Sequence, residues 1–143
     1  MDIIFSENTL TAETYNALRI GADLSPIESA PLCAALAASH ITLTASLGTT
    51  CVGMLRVIGD CALFCTVCDV LILPGYRGHG IGHAMLARAI SLIKSSAPVG
   101  SNVVVSLVTD AESVAFYESL GFALNDKQTM SRMVSCRKRY FLK

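Results

Sequence analysis

The residues best placed to do chemistry lie in one short stretch, Leu71-Ile72-Leu73-Pro74-Gly75-Tyr76-Arg77-Gly78-His79-Gly80-Ile81-Gly82-His83. Val70 to Leu73 is aliphatic and β-branched, which predicts a buried strand. Pro74-Gly75 ends it, because proline lacks the N–H that a ladder needs and glycine takes the turn. Gly78, Gly80 and Gly82 then alternate directly ahead of an amphipathic helical pattern. Glycines so spaced remove Cβ atoms where the backbone must approach a partner closely. The first N–H groups of a helix have no partner within it and lie at the positive end of its dipole. Such an end binds phosphate or pyrophosphate, and Arg77 adds a planar fork of donors suited to phosphate oxygens. The chemistry expected is the grip of a polyanionic ligand.

Two common phosphate motifs do not fit. The dinucleotide fingerprint needs G-x-G-x-x-G with an acid about 20 residues on, whereas here the glycines read G-x-G-x-G and no acid lies between Asp69 and Asp110. The P-loop closes on Gly-Lys-Ser/Thr, and Gly82 is followed by His83-Ala84. Arg77-x-x-Gly80-x-Gly82 after a strand does resemble the acetyl-coenzyme A signature of the GNAT N-acetyltransferase superfamily, Arg/Gln-x-x-Gly-x-Gly/Ala. Downstream, Phe116-Tyr117-Glu118-Ser119-Leu120-Gly121-Phe122 is similar to that family's F-Y-x-x-x-G-F motif, at the expected distance. The resemblance spans roughly residues 40 to 136 and the N-terminal helices only loosely. Within the superfamily, Val52 to Asp60 and Asp69-Val70 look like the branch of arylalkylamine-type and related small-amine acetyltransferases. The ending Tyr140-Phe141-Leu142-Lys143 is similar to that of some glucosamine-phosphate acetyltransferases.

A length of 143 residues predicts one domain able to bury its own core, followed by a basic tail over 137–143. A formal net charge of +0 argues against nucleic-acid binding by bulk electrostatics. The charge is unevenly placed: residues 1–76 hold seven acids and two bases, residues 77–143 four acids and nine bases. The basic half is the half with the glycine loop, which suits a polyanionic cofactor. Ser29 to Leu55 is poor in charge, but Pro31, Gly48, Gly53 and many Ser and Thr interrupt it, so no membrane span is expected. The start lacks a basic segment followed by an apolar one, so no signal peptide is expected and the cytoplasm is the default. Cys61, Cys65 and Cys68 lack the second C-x-x-C pair of a zinc site and read as small apolar strand residues; no metal is expected. The apolar fraction of 52% suggests a homodimer.

Elements must hold these residues in place. Expected are a strand at Asp2 to Phe5, a Thr11-capped helix from Ala12 to Ala22, and a second helix over Leu32 to Ser39. Strands follow at Ile41 to Leu47, Cys51 to Ile58 and Ala62 to Leu73, with Gly59-Asp60 as a hairpin turn. Ile81 to Ser95 is a helix with Leu86, Ile90 and Ile93 inward and His83 outward. Val103 to Val108 is a buried strand, Asp110 caps a helix from Ala111 to Leu120, and Gly121 stops it. Ala123-Leu124 and Met130 to Cys136 close the chain as a hairpin. The expected fold class is α/β (α+β), the GNAT fold: a twisted, mostly antiparallel mixed sheet flanked by helices.

The resemblance implies transfer of an acetyl group from acetyl-CoA to a primary amine by direct attack. It implies that Arg77, Gly78, His79, Gly80, Ile81 and Gly82 grip the cofactor. If the strand over Leu71 to Leu73 splays from its neighbour, a free N–H there polarises the thioester carbonyl, with Ile72 and Leu73 in the matching positions. Tyr117 matches the tyrosine that protonates the leaving thiolate; a phenol is too weak a base at neutral pH but can donate to a sulfur of pKa near 8.5. Phe116 packs by the pantetheine arm, and Ser113 stands where many members have Asn. Asp69 matches an acidic position that orients or deprotonates the amine; a structural acceptor at a sheet bulge is the alternative. Arg56 and Asp60 are expected to pair at the hairpin edge. His40 and His79 are lesser candidates for a base. The acceptor is expected to be a small amine, an arylalkylamine or amino sugar, with a protein amine or a catalytically idle CoA-binding module as alternatives.

Overall fold

A computed structural model describes residues 2–125 and 129–135. The tail over 137–143 and the Cys136 end of the expected hairpin lie outside the described residues. The strands are β1 (Ile3–Glu7), β2 (Ile41–Leu47), β3 (Thr50–Gly59), β4 (Phe64–Ile72), β5 (Asn102–Val108), β6 (Ala123–Leu124) and β7 (Thr129–Ser135). The helices are α1 (Ala12–Gly21), α2 (Ser29–Ala38), α3 (Ile81–Ser96) and α4 (Val114–Ser119). The strands form one sheet in the order β1-β2-β3-β4-β5-β7-β6. Every pairing is antiparallel except β4 with β5, which a crossover through α3 makes parallel. This is the mixed, mostly antiparallel sheet flanked by helices that the sequence predicts.

Period-two alternation separates two apolar layers. On one face, Leu43, Leu55, Val57, Val105 and Leu107 pack under Met85, Leu86, Ala89 and Ile93 of α3. On the other, Met54 and Leu71 meet Leu18 and Tyr15 of α1 and Leu32 of α2. α1 starts where expected, with the Thr11 side chain accepting the Thr14 N–H at 3.2 Å. Among the described residues no helix is long and apolar enough to cross a membrane, and no group of His, Cys, Asp and Glu is arranged to hold a metal.

Helix α2 starts at Ser29, three residues before the expected Leu32. Two further boundaries differ from expectation for a clear local reason. β4 begins at Phe64 rather than Ala62, because Asp60 Oδ1 accepts the N–H groups of Ala62, Leu63 and Phe64 at 2.8, 2.8 and 3.1 Å. The expected Arg56–Asp60 pair is therefore not formed; Asp60 serves backbone donors. Its carboxyl is pulled down to about 2 by the N–H groups of Leu63, Ala62 and Phe64. The folded value lies below the unfolded one, so its stabilisation is present above the ordinary carboxylate pKa and lost as pH falls through about 2. Asp60→Ala is expected to unfold at a lower temperature than the parent at pH 7 and to match it near pH 2. An equal offset at both pH values argues against the cap.

The second difference follows strand β5. Asp110 accepts the Ser113 N–H at 2.8 Å, opening a single 3-10 turn over Ala111–Ser113 before α4. The helix proper is then only Val114–Ser119, and Gly121 ends it at φ +89°.

Candidate functional site

β4 and β5 pair only at Phe64–Val104, Cys65–Val105 and Thr66–Ser106. Beyond Thr66 the two parallel strands part, and β4 continues to Ile72 beside the gap. β4 also carries a bulge: Arg56 opposes Cys68 and Met54 opposes Leu71, so Leu55 faces both Asp69 and Val70. Asp69 takes the extra turn at φ +54°, the left-handed region that few residues other than glycine adopt.

The register past the bulge fixes where each amide points. Leu73 N–H donates to Val52 O at 2.9 Å, so Leu73 is not free for a carbonyl oxygen, contrary to one of the two expected positions. Hydrogen-bonded and non-bonded pairs alternate along an antiparallel ladder, so the neighbouring pair Ile72–Gly53 is non-bonded. Ile72 therefore turns its N–H and C=O away from β3 and towards the gap left by β5. Its C=O accepts from Arg77 Nε at 2.9 Å, which folds the arginine back across the mouth of the gap.

The glycine loop completes one wall. Gly78 and Gly80 stand at φ +81° and +79°, and a Cβ built on either meets no atom within 4 Å. Gly80 is the N-cap of α3 and has no side chain to satisfy the first amides, which leaves them facing open space. Gly82 is the second residue of α3; a Cβ there would stand 3.4 Å from the ring of Phe116. α3 and α4 thus approach each other across a cleft of about 800 Å³. A cradle that a side chain would fill, beside uncapped helix amides and an arginine, fits the diphosphate of a coenzyme A.

Expected residues that line this cleft are Leu71, Ile72, Arg77, Gly78, Gly80, Ile81, Gly82, Ser113, Phe116 and Tyr117. Leu73 and His79 do not line it: Leu73 packs beneath the end of α1, close to Gly21, and His79 is exposed. Sequence reasoning missed Ala22, Leu24, Val70, Tyr76, His83, Asp110 and Glu112. His83 was expected on the outer side of α3, but the cleft wraps the first turn of that helix. His40 is exposed and borders a separate, smaller hollow with Asn8 and Thr42.

Tyr117 is held edge-on between Phe116, at 5.0 Å and 71°, and Phe122, at 6.2 Å and 75°. Its ring is buried while its hydroxyl has no hydrogen-bond partner among the described residues. Burial, and then the charge of Asp110, pushes the phenol up from its ordinary value, so it stays protonated through the neutral range. Asp69 stands apart from the cleft lining. Its Oδ2 accepts from Arg56 Nε at 2.6 Å. Burial and this carboxylate both push the Tyr15 phenol up. Asp69 accepts from Arg56 at the bulge, so Arg56 has Asp69 as its partner in place of Asp60. Cys61 and Cys65 are buried side by side and their thiols are pushed up by burial, which keeps them unreactive.

Comparison with known proteins decides the family. Residues 38–124 match the model of the acetyltransferase (GNAT) domain. This chain belongs to the GNAT family. Among curated GNAT relatives, the soybean (Glycine max) histone acetyltransferase TAP1 is 37% identical over 71 residues, half of this chain and 29% of that protein. The chain therefore spans less than a third of the length of that relative. A Staphylococcus aureus protein described as a probable acetyltransferase has a similar structure at 27% identity and a TM-score of 0.75, covering 87% of this chain and 92% of that one. The fold is shared with an Escherichia coli GNAT N-acetyltransferase solved in complex with CoA, at 15% identity and a TM-score of 0.73, over 92% of this chain and 81% of the other. The GNAT match covers the β2–β4 meander, the glycine loop, α3, β5 and α4, which build the cleft apart from Ala22 and Leu24 at the end of α1.

Proposed function

We propose that this GNAT domain transfers an acetyl group from acetyl-CoA to the amine of a small, largely apolar acceptor by direct attack. The observation that carries the reading is the parted end of β4 and β5, with the Ile72 amide and Tyr117 on either side of one cleft that ends in the glycine cradle. When bound, acetyl-CoA supplies an activated acetyl group as a thioester. Arg77 and the backbone of Gly78, Gly80, Ile81 and Gly82 would hold its diphosphate. The Ile72 N–H would donate to the thioester oxygen as charge develops there, a preorganised donor in a partly dry site. The Tyr117 hydroxyl would give its proton to the departing sulfur.

The acceptor side supports an apolar amine. Ala22 and Leu24 at the end of α1 line the cleft with Val70 and Leu71, and Ile20 and Ile27 are exposed on the same α1–α2 segment. Burial disfavours an ammonium ion, so an amine entering between such side chains loses its proton more readily than in water. This favours an arylalkylamine over an amino sugar. A protein lysine is the second reading, favoured by the histone acetyltransferase name of the soybean relative.

Thermal unfolding tests the cofactor. A ligand at 100 times its Kd stabilises by about 2.7 kcal/mol, a rise of roughly 5–10 °C for a chain of this size. Acetyl-CoA is expected to give that rise, and NAD and ATP none; a larger rise with either nucleotide overturns the reading. Thiol release, corrected for the protein's own cysteines, is then expected to be faster with phenethylamine than with glucosamine 6-phosphate or a lysine peptide of a histone tail. Faster release with the peptide replaces the small amine by a protein.

A further inference from the structure

We propose that Arg56 is a positioning residue for acetyl transfer: through Asp69 it holds the β4 bulge that aims the Ile72 amide into the gap, and it ties α2 to that bulge. The inference rests on the transfer reading above. It starts from a strained residue. Asp69 is held at φ +54° in the middle of a strand, and a left-handed residue other than glycine persists only where its surroundings hold it. Here the hold comes from Arg56 of β3, itself anchored on α2. Arg56 on β3 donates its Nε to Asp69 Oδ2 at 2.6 Å. The Arg56 Nη1 reaches the C-terminal turn of α2, at Ser39 Oγ, 3.1 Å, and Ala35 O, 3.5 Å. On α1, burial and then the Asp69 carboxylate raise the Tyr15 phenol.

The node is mostly shielded, the Arg56 and Asp69 side chains keeping only 16% and 24% of their surface. Arg56 follows Met54 by two residues on β3, so its side chain lies on the α1–α2 face beside the Met54–Leu71 contact, and Asp69 meets it there. The bulge is where β4 gains its extra residue, three positions before Ile72 and past the last β5 pairing at Thr66. Without the bulge the alternation past it shifts by one, and Ile72 would direct its amide to β3 rather than to the gap. The same guanidinium anchors the bulge on the C-terminal end of α2. Lysine cannot replace it, since an ammonium lacks the planar fork that spans Asp69 and α2 at once.

The test reads the carbonyl itself. [1-13C]acetyl-CoA is titrated into the protein and into Arg56→Met, Arg56→Lys and Asp69→Asn, with the affinity for CoA, which lacks the carbonyl, measured by calorimetry. In the parent, the bound carbonyl carbon is expected downfield of free acetyl-CoA. In Arg56→Met it is expected to return most of the way to the free position, while CoA affinity changes by less than about threefold, because the glycine cradle is untouched. Asp69→Asn keeps a residue that tolerates the left-handed region and some hydrogen bonding, so it is expected to fall between the two. Arg56→Lys, with far-UV circular dichroism like the parent, is expected to lose the shift as well and shows that charge alone does not rescue it. An Arg56→Met or Arg56→Lys protein whose bound carbonyl matches the parent overturns the positioning role and leaves the transfer reading standing. A parent that fails to bind acetyl-CoA overturns both.

Discussion

Gly80→Glu is expected to abolish acetyl-CoA binding while leaving the protein folded. Two effects add. Gly80 stands at φ +79° as the N-cap of α3, and an L residue there costs about 1–2 kcal/mol, a tolerable loss for a domain of ordinary stability. The larger effect falls on the ligand. A Cβ at Gly80 meets no protein atom within 4 Å, so a new side chain extends into the cradle rather than into the core. There the carboxylate finds the same uncapped amides and the same dipole that favour an anion, and takes the place of the diphosphate. Bulk and like charge together are expected to weaken acetyl-CoA by at least about 100-fold, or about 2.7 kcal/mol, and to remove the thermal shift entirely. Gly80→Ala separates the causes, because it carries the strain without the charge and should weaken binding far less. A Gly80→Glu protein that binds acetyl-CoA as the parent does would mean that the diphosphate lies elsewhere.

How far this site was legible in the sequence depends on how local its signals are. The glycine loop is local: Gly78 and Gly80 adopt the positive φ that only glycine takes freely, and α3 begins at Ile81 where the apolar period starts. β2 runs over Ile41–Leu47 as its alternation predicts, and Gly121 ends α4 in the left-handed region. The bulge is not local. A bulge at Asp69 is an alternative the residue types allow, but what holds it comes from elsewhere in the chain: Arg56 of β3, itself anchored on Ser39 at the end of α2. The hairpin edge suggests Asp60 as the partner of Arg56. Asp60 instead spends its oxygen on the turn, which also delays the start of β4 to Phe64. The missed cleft residues follow the same rule. Ala22 and Leu24 come from one end of the chain, and Asp110 and Glu112 from a loop after β5, so only the tertiary fold brings them to one surface.

Tyr117→Phe is expected to lower kcat by about 100-fold while changing acetyl-CoA affinity by less than about threefold, in keeping with the loss of one general acid. The substitution removes a single oxygen. The ring keeps its edge-on contacts with Phe116 and Phe122, and the hydroxyl has no partner among the described residues, so folding stability should be nearly unchanged. What is lost is a proton donor beside the cleft. Burial, and after it Asp110, raises the phenol above its ordinary value of 10.0, so the proton is present throughout the neutral range. The sign of the pH dependence follows. The competent form is the protonated one, so activity in the parent should persist through the neutral range and fall only as pH rises through the raised phenol value. The variant should be slow throughout and lack that alkaline limb. A catalytically idle CoA-binding module would show no transfer in the parent and no effect of the change. A variant that turns over as fast as the parent with a good acceptor would return Tyr117 to a packing role at the seam of α4 and the sheet, and the thiolate would then take its proton from water.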